Sequence, residues 1–377
     1  MQAFLNKLQQ ASDQNLADIE QAKAEGRKVI GFYCLYSPTE IAIAGDCIPL
    51  PLCGTRNDPI HEAEKTLPRN LCPLIKSSFG FAASDTCPFF RFADAIIGDT
   101  TCDGKKKMFE LLSRYKETHV LQLPQNQDAA TALPPWRAEL DRFKTIIESH
   151  GGTISGERLR AAISLMNRVR AAKKELMDVN KIKPAPISGV QLLEIMFKVG
   201  FLADKGKCIS FMKEAAGLAR KGIFRPKEAG PDNRKRILIT GVPVGIGSEK
   251  VVRIVEQSGA DVVALENCSG YKQAFSVDEQ GDPMDALAAK YLATPCSVMS
   301  PNQGRFALLE EMIQEFSADG VIDLTWQACH TYNVEAFTIS EFVREKFGIS
   351  TLHLETDYAE GDTEQLRVRI EAYLEIV

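Results

Sequence analysis

Cys72, Cys87 and Cys102 stand fifteen residues apart in NLCPLIKSSFGFAASDTCPFFRFADAIIGDTTCDGKKK, positions 70 to 107. That interval fits neither a zinc knuckle nor a dithiol redox pair, since both keep two sulfurs within a few residues of each other. The chain has ten cysteines and no C-x-x-C pair. Taken singly, a cysteine is as readily a small buried hydrophobe. The first residues, MQAFLNKLQQASDQNLADIEQAKAEGRK, are polar and helix-prone with no apolar core. A chain of this kind is expected in a reducing, cytoplasmic compartment, where disulfides are rare and sulfur binds metal or does chemistry.

The elements that must gather these sulfurs follow from the periodicity. Residues 26 to 125 alternate short apolar runs (VIGFY, CIPLPL, ADAIIG, HVLQL) with helical stretches after Pro38, Pro73 and Asp103. This is the pattern of a parallel sheet with crossover helices. Residues 137 to 222 read as helices, with a cap expected at Ser155 and a capping box at Ser188 and Gln191. KGIFRPKEAGPDNRKR at 221 to 236 reads as a linker. From Ile237 the strand–helix alternation resumes through RILITG, DVVALE, GVIDLT and STLHLE. The expected fold is α/β, with two Rossmann-like doubly wound parallel-sheet domains and an additional helical region. The expected boundaries are an N-terminal helix over 1–25, a first domain over 26–136, helices and linker over 137–230, and a second domain over 231–377.

Five cysteines fall just past the carboxyl end of a predicted strand: Cys34, Cys53, Cys102, Cys268 and Cys329. In open α/β sheets those ends form the ligand crevice. Cys72 precedes a helix and Cys296 lies in the loop YLATPCSVMSPN, from which both can reach such a crevice. Thiolates converging singly from distant positions point to an iron-sulfur cluster, with zinc as the competitor. Lys105, Lys106 and Lys107 open a helix whose N-terminus already carries partial positive charge. A nearby anion, the acidic face of an electron-donating partner, or simple solvation would each account for them.

Net charge is -5, from 45 basic and 50 acidic residues, which gives no footprint for nucleic acid or an anionic membrane. No run of apolar residues is long enough to span a bilayer. In ILITGVPVGIGSEKVV, Gly245 and Gly247 lack the third glycine of a dinucleotide fingerprint, even with Glu266 at the ribose-acid distance, and no G-K-[ST] follows. His330, directly after Cys329, could move protons or hydrogen-bond a sulfur. Glu40 and Glu355 are expected at strand or loop ends facing the crevice, where capping and solvation are their ordinary roles.

YCLYSPTEIAIAGDCIPLPLCG, LPRNLCPLIKSSFGF, ADAIIGDTTCDGKKKMFE, LITGVPVG, ALENCSG and LTWQACHTY resemble the 2-hydroxyacyl-CoA dehydratase (D-component) family, most closely its double-cubane cluster branch. The resemblance runs from about residue 30 to the end. It implies two Rossmann-like domains with a cluster between them. Dehydratase subunits hold one 4Fe-4S cubane on three cysteines, and the matching positions are Cys72, Cys102 and Cys329. The double-cubane branch holds an 8Fe-9S cluster, which needs three further thiolates. These are read as Cys34, Cys268 and Cys296, with Cys87 and Cys53 in reserve, while Cys47 and Cys208 read as structural. The resemblance further implies a homodimer that takes electrons from a separate ATP-hydrolysing iron-sulfur reductase and passes them to a small molecule. From their positions in the sequence, His330 and Glu40 are the candidate catalytic groups. Rival readings are a dehydratase or acyl-CoA reductase subunit with one cubane, and a non-catalytic electron carrier.

Overall fold

A computed structural model of the chain describes residues 1–225 and 233–377. Part of the expected linker, 226–232, lies outside the described residues. All eight expected strands form. In the first sheet β1 (Val29–Phe32), β2 (Ile48–Pro51), β3 (Ala95–Asp99) and β4 (Thr118–Leu121) run parallel in the order β2-β1-β3-β4. In the second, β5 (Arg236–Gly241), β6 (Asp261–Leu265), β7 (Gly320–Trp326) and β8 (Thr351–Thr356) repeat it as β6-β5-β7-β8. The chain is α/β, with two Rossmann-like units.

Every residue of β1, β3, β5 and β7 is buried, because helices cover both faces of each sheet. That is why these strands read as continuous apolar runs. In both sheets the strand order reverses between the two central strands, leaving a crevice at their carboxyl ends. Cys34 and Cys102 follow the central strands of the first sheet, and Cys329 follows β7 of the second.

Local signals place the helices. The Ser155 hydroxyl accepts from the Arg158 N–H at the start of helix Gly156–Asp178, and Ser188 with Gln191 closes a capping box on helix Gly189–Gly200. Helix Gln2–Ala24 buries Phe4 and Leu8 among the helices around Phe211, and Asn15 exchanges hydrogen bonds with the backbone of Phe201 and Ala203.

The segment leading to Cys296 belongs by sequence to the second half of the chain but packs on the first. Met284, Leu287 and Tyr291 of helix Pro283–Leu292 share a core with Ile30, Leu140 and Phe143. Loops also cross from one sheet to the other. Tyr36 Oη donates to Thr294 O (2.9 Å), Thr55 Oγ1 to Ile246 O (2.9 Å), and Tyr358 Oη to Gly54 O (2.8 Å). A side chain at Gly54 would place Cβ 2.3 Å from Ser78 N and 2.6 Å from Leu74 O, so only glycine allows this close passage beside Cys53.

Candidate cysteine-lined site between the sheets

Cys72, Cys102 and Cys329 each occupy the N-cap position of a helix, respectively Pro73–Ala83, Asp103–Leu112 and His330–Phe347. A cysteine there has its sulfur beside backbone N–H groups that lack helical partners. No side-chain cap hydrogen bond is formed, but the N–H groups of Leu74 and Ile75 beside Cys72, of Lys105 beside Cys102 and of Tyr332 beside Cys329 each favour the thiolate. Cys72 and Cys329 come from opposite domains yet lie close enough to set each other's ionisation: the neighbouring Cys329 thiol holds that of Cys72 below the ordinary range, and Cys72 with burial pushes that of Cys329 up. Cys102 is within charge–charge reach of both.

The residues of the other expected trio lie outside helix starts. Cys34 lies within charge–charge reach of Cys268 and Cys296, and Cys268 within reach of Cys296. Cys102 and Cys296 link the two groups. Burial pushes the Cys34 thiol well up, reinforced by the Asp99 carboxylate, and pushes Cys268 up to about 12 against the pull of Lys272. Desolvated thiols of this kind ionise only when a strong positive charge is supplied.

Lys105 is buried in this cleft, unlike exposed Lys106 and Lys107, which resolves the oddity of three lysines at a helix start. Its ammonium pairs with buried Asp99 at 3.4 Å and lies close enough to Cys34 for the two to affect each other's ionisation. Burial pulls its pKa down, but Asp99 and the neighbouring sulfurs outweigh that and raise it. Facing it from the second domain, Lys272 Nζ sits 3.0 Å from Glu266 and donates to Tyr332 Oη at 3.0 Å, and Tyr332 Oη lies 4.0 Å from Cys296 Sγ. Sequence reasoning passed over Lys272, Tyr332 and Asp99. A lysine in the turn CSGYK reads as solvated, and only the packing of the Tyr332 ring at 5.2 Å reveals that it is enclosed.

The reserves form a third place. Cys53 and Cys87 lie within charge–charge reach of each other beside Tyr33, and burial raises both thiols, that of Cys53 to about 12. Cys208 bonds the carbonyls of Val199 and Leu202 inside a helical core. Cys47 is buried just ahead of β2, not within it as expected, and faces Gly45 O.

His330 is exposed at the first position of its helix, beside Cys329. Glu355 is also exposed, its carboxylate held by Asn333 at 2.8 Å. Glu40 departs from the expected crevice-facing position. It is the second residue of helix Thr39–Ala44, is completely buried, and accepts from the Arg170 guanidinium and from Tyr291 Oη at 2.8 Å. Burial pushes its carboxyl up, but Arg170 and Lys290 outweigh this and hold it below the usual carboxylate range. The polar partners of Glu40 lie on helices, and they draw its side chain inward, away from the strand ends.

Among the described residues no three His, Cys, Asp or Glu side chains are arranged to hold a single metal ion. A polynuclear cluster makes a different demand, because its thiolates bind separate irons and stand correspondingly farther apart. Six converging sulfurs with buried ammonium groups beside them suit a bulky anionic group of iron and sulfide. They do not suit a tetrahedral zinc.

Comparison with known proteins gives the family. Residues 34–377 match the model of the 2-hydroxyglutaryl-CoA dehydratase D-component family. The Escherichia coli protein YjiM, named as a dehydratase subunit, is 42% identical, covering 100% of this chain and 98% of its own length. The (R)-phenyllactyl-CoA dehydratase beta subunit of Clostridium sporogenes is 24% identical over 93% of this chain and 92% of its own. A benzoyl-CoA reductase subunit of Thauera aromatica is 21% identical over 92% and 89%. Among the described residues no helix is long and apolar enough to cross a membrane. With sulfurs from both sheets meeting between the domains and a family model spanning nearly all of it, the chain belongs to the 2-hydroxyglutaryl-CoA dehydratase D-component family.

Proposed function

We propose that the chain is a cytoplasmic, homodimeric reductase that holds a double-cubane 8Fe-9S cluster on Cys34, Cys72, Cys102, Cys268, Cys296 and Cys329. A separate ATP-hydrolysing iron-sulfur reductase delivers its electrons, and a small molecule receives them. One observation carries this reading: two groups of three sulfurs, each drawing on both domains, meet through Cys102 and Cys296. A single cubane uses three protein thiolates and would leave the second group without a purpose.

The cluster supplies low-potential electrons. The chain supplies the rest. Tyr36, Tyr332 and Tyr358 are buried around the sulfurs and exclude water. Exposed His330 stands beside Cys329, where it can carry protons from solvent. Glu40 is a structural anion in this scheme and takes no part in proton transfer.

The test is anaerobic reconstitution with iron and sulfide analysis. About eight irons per chain supports the double cubane, and about four rejects it. The names of the relatives favour a second reading, a dehydratase subunit, in which one cubane would be held on Cys72, Cys102 and Cys329. That version predicts about four irons and activity on an acyl-CoA only when a different partner subunit is added.

A further inference from the structure

The two sulfur groups receive positive charge by different means. Cys72, Cys102 and Cys329 stand at the N-cap positions of helices, beside their partial positive charge. Cys268 and Cys296 are not at helix starts, yet a chain of fixed side chains leads to them. Thr240 on β5 and Asp323 on β7 are register partners, and Glu266 follows β6 alongside. Arg305, fully buried, spans this row: it donates to Thr240 Oγ1 at 2.8 Å, lies 3.5 Å from Asp323, and pairs with Glu335. Thr240 in turn donates to Glu266 at 2.8 Å. Glu266 is thereby held in place to anchor Lys272, whose side chain is 0% exposed. Lys272 forms an ion pair with Glu266 and donates one hydrogen bond to Tyr332 Oη, each at 3.0 Å. Because Lys272 donates to the phenolic oxygen, the Tyr332 hydroxyl hydrogen is free to point at Cys296 Sγ, 4.0 Å away.

We propose that Tyr332, oriented and polarised by Lys272, is a positioning residue that donates a hydrogen bond to the Cys296 sulfur. Through it the buried charge row of the second domain favours the reduced state of the cluster at the Cys34, Cys268 and Cys296 end. Hydrogen bonds to ligating sulfurs stabilise the more negative, reduced form and so raise the potential. Lys272 adds a direct charge on Cys268. The inference rests on the double-cluster reading above.

Tyr332→Phe tests it with little risk to folding, since the ring that covers Lys272 and Arg305 is kept. Tyr36→Phe is the control: it removes another buried hydroxyl beside the same sulfurs, but one that donates to Thr294 O. Iron content and the reduction potential of the anaerobically reconstituted proteins are measured together. Tyr332→Phe should keep its iron and become harder to reduce. The expected change is on the order of tenfold in the reduced-to-oxidised ratio at fixed ambient potential, or ~59 mV for one electron. Tyr36→Phe should stay at the wild-type potential. An unchanged potential in Tyr332→Phe, or an equal shift in both variants, overturns the inference. About four irons in the wild-type protein instead overturns the double-cluster reading itself, before any variant is compared.

Discussion

Replacing Glu40 by Gln should unfold the protein earlier without acting on the chemistry directly. Glu40 and Arg170 form a sealed ion pair, with side chains 0% and 6% exposed. Tyr291 bonds both partners, and Asn167 adds an acceptor for Arg170 at 3.0 Å. The substitution is nearly isosteric, so packing survives and the main loss is the countercharge. Arg170 cannot shed its proton and is left as a buried, uncompensated cation, a situation that costs about 3 to 5 kcal/mol. At ~2.1 cal/mol/K of unfolding entropy per residue, the chain of 377 residues has roughly 0.8 kcal/mol/K in total, so Tm should fall by about 5 °C.

Thermal unfolding of the metal-free protein, followed by circular dichroism, reads this directly. The double variant Glu40→Gln, Arg170→Met removes the orphaned charge and should recover much of the loss, because a buried pair replaced by apolar groups is often near neutral. The three residues join helices Thr39–Ala44, Gly156–Asp178 and Pro283–Leu292, the last of which leads to Cys296. Iron binding should therefore weaken only as stability does. An unchanged Tm accompanied by lost turnover would refute this reasoning and restore Glu40 as a catalytic group.

Single Cys34→Ala, Cys268→Ala and Cys296→Ala variants should each lose about half of the bound iron, whereas Cys53→Ala and Cys87→Ala keep it all, as read by iron-to-protein ratio. Full iron in any of the first three removes that residue from the ligand set. Stability should also depend on pH through Glu256, whose carboxyl burial pushes up from 4.5 to about 7 although Gly189 and Val190 N–H donate to it. A raised carboxyl pKa means that the folded state binds the proton more tightly, so this contribution is present in acid and is lost as pH rises from 4.5 to about 7. Denaturant unfolding at several pH values should show that slope in the wild type and a flatter one in Glu256→Gln.

The fold was legible because its strands are buried on both faces and announce themselves as short apolar runs such as AIIGD and VIDLT. Ser155 and Ser188 marked their helices for an equally local reason, a side-chain oxygen meeting an unpaired N–H. That Cys34, Cys102 and Cys329 follow the carboxyl ends of central strands was legible too, since those strands read as short apolar runs. Glu40 was misplaced because its partners, Arg170 and Tyr291, are 130 and 251 residues away in sequence. No local pattern encodes such a pairing. Lys272 and Tyr332 were missed for the same reason: each is ordinary in its own segment, and their meaning comes from a contact 60 residues apart.

The difference between the two sulfur groups constrains how they can be filled. A thiol at a helix N-cap lies beside N–H groups that favour its thiolate, a provision shared by Cys72, Cys102 and Cys329, although burial still raises the thiols of Cys102 and Cys329. Cys34 and Cys268 lack that provision and are strongly desolvated, so their ionisation depends on Lys105 and Lys272, each tied to a buried carboxylate. Both ammonium groups sit in the interior of a packed protein, where an unneeded charge would be costly. If nothing anionic were ever held between them, apolar residues of similar volume would serve the fold at least as well. The lysines therefore point to the same conclusion as the sulfurs, that the second group is built to hold negative charge, and substituting either by methionine should weaken iron retention on that side first.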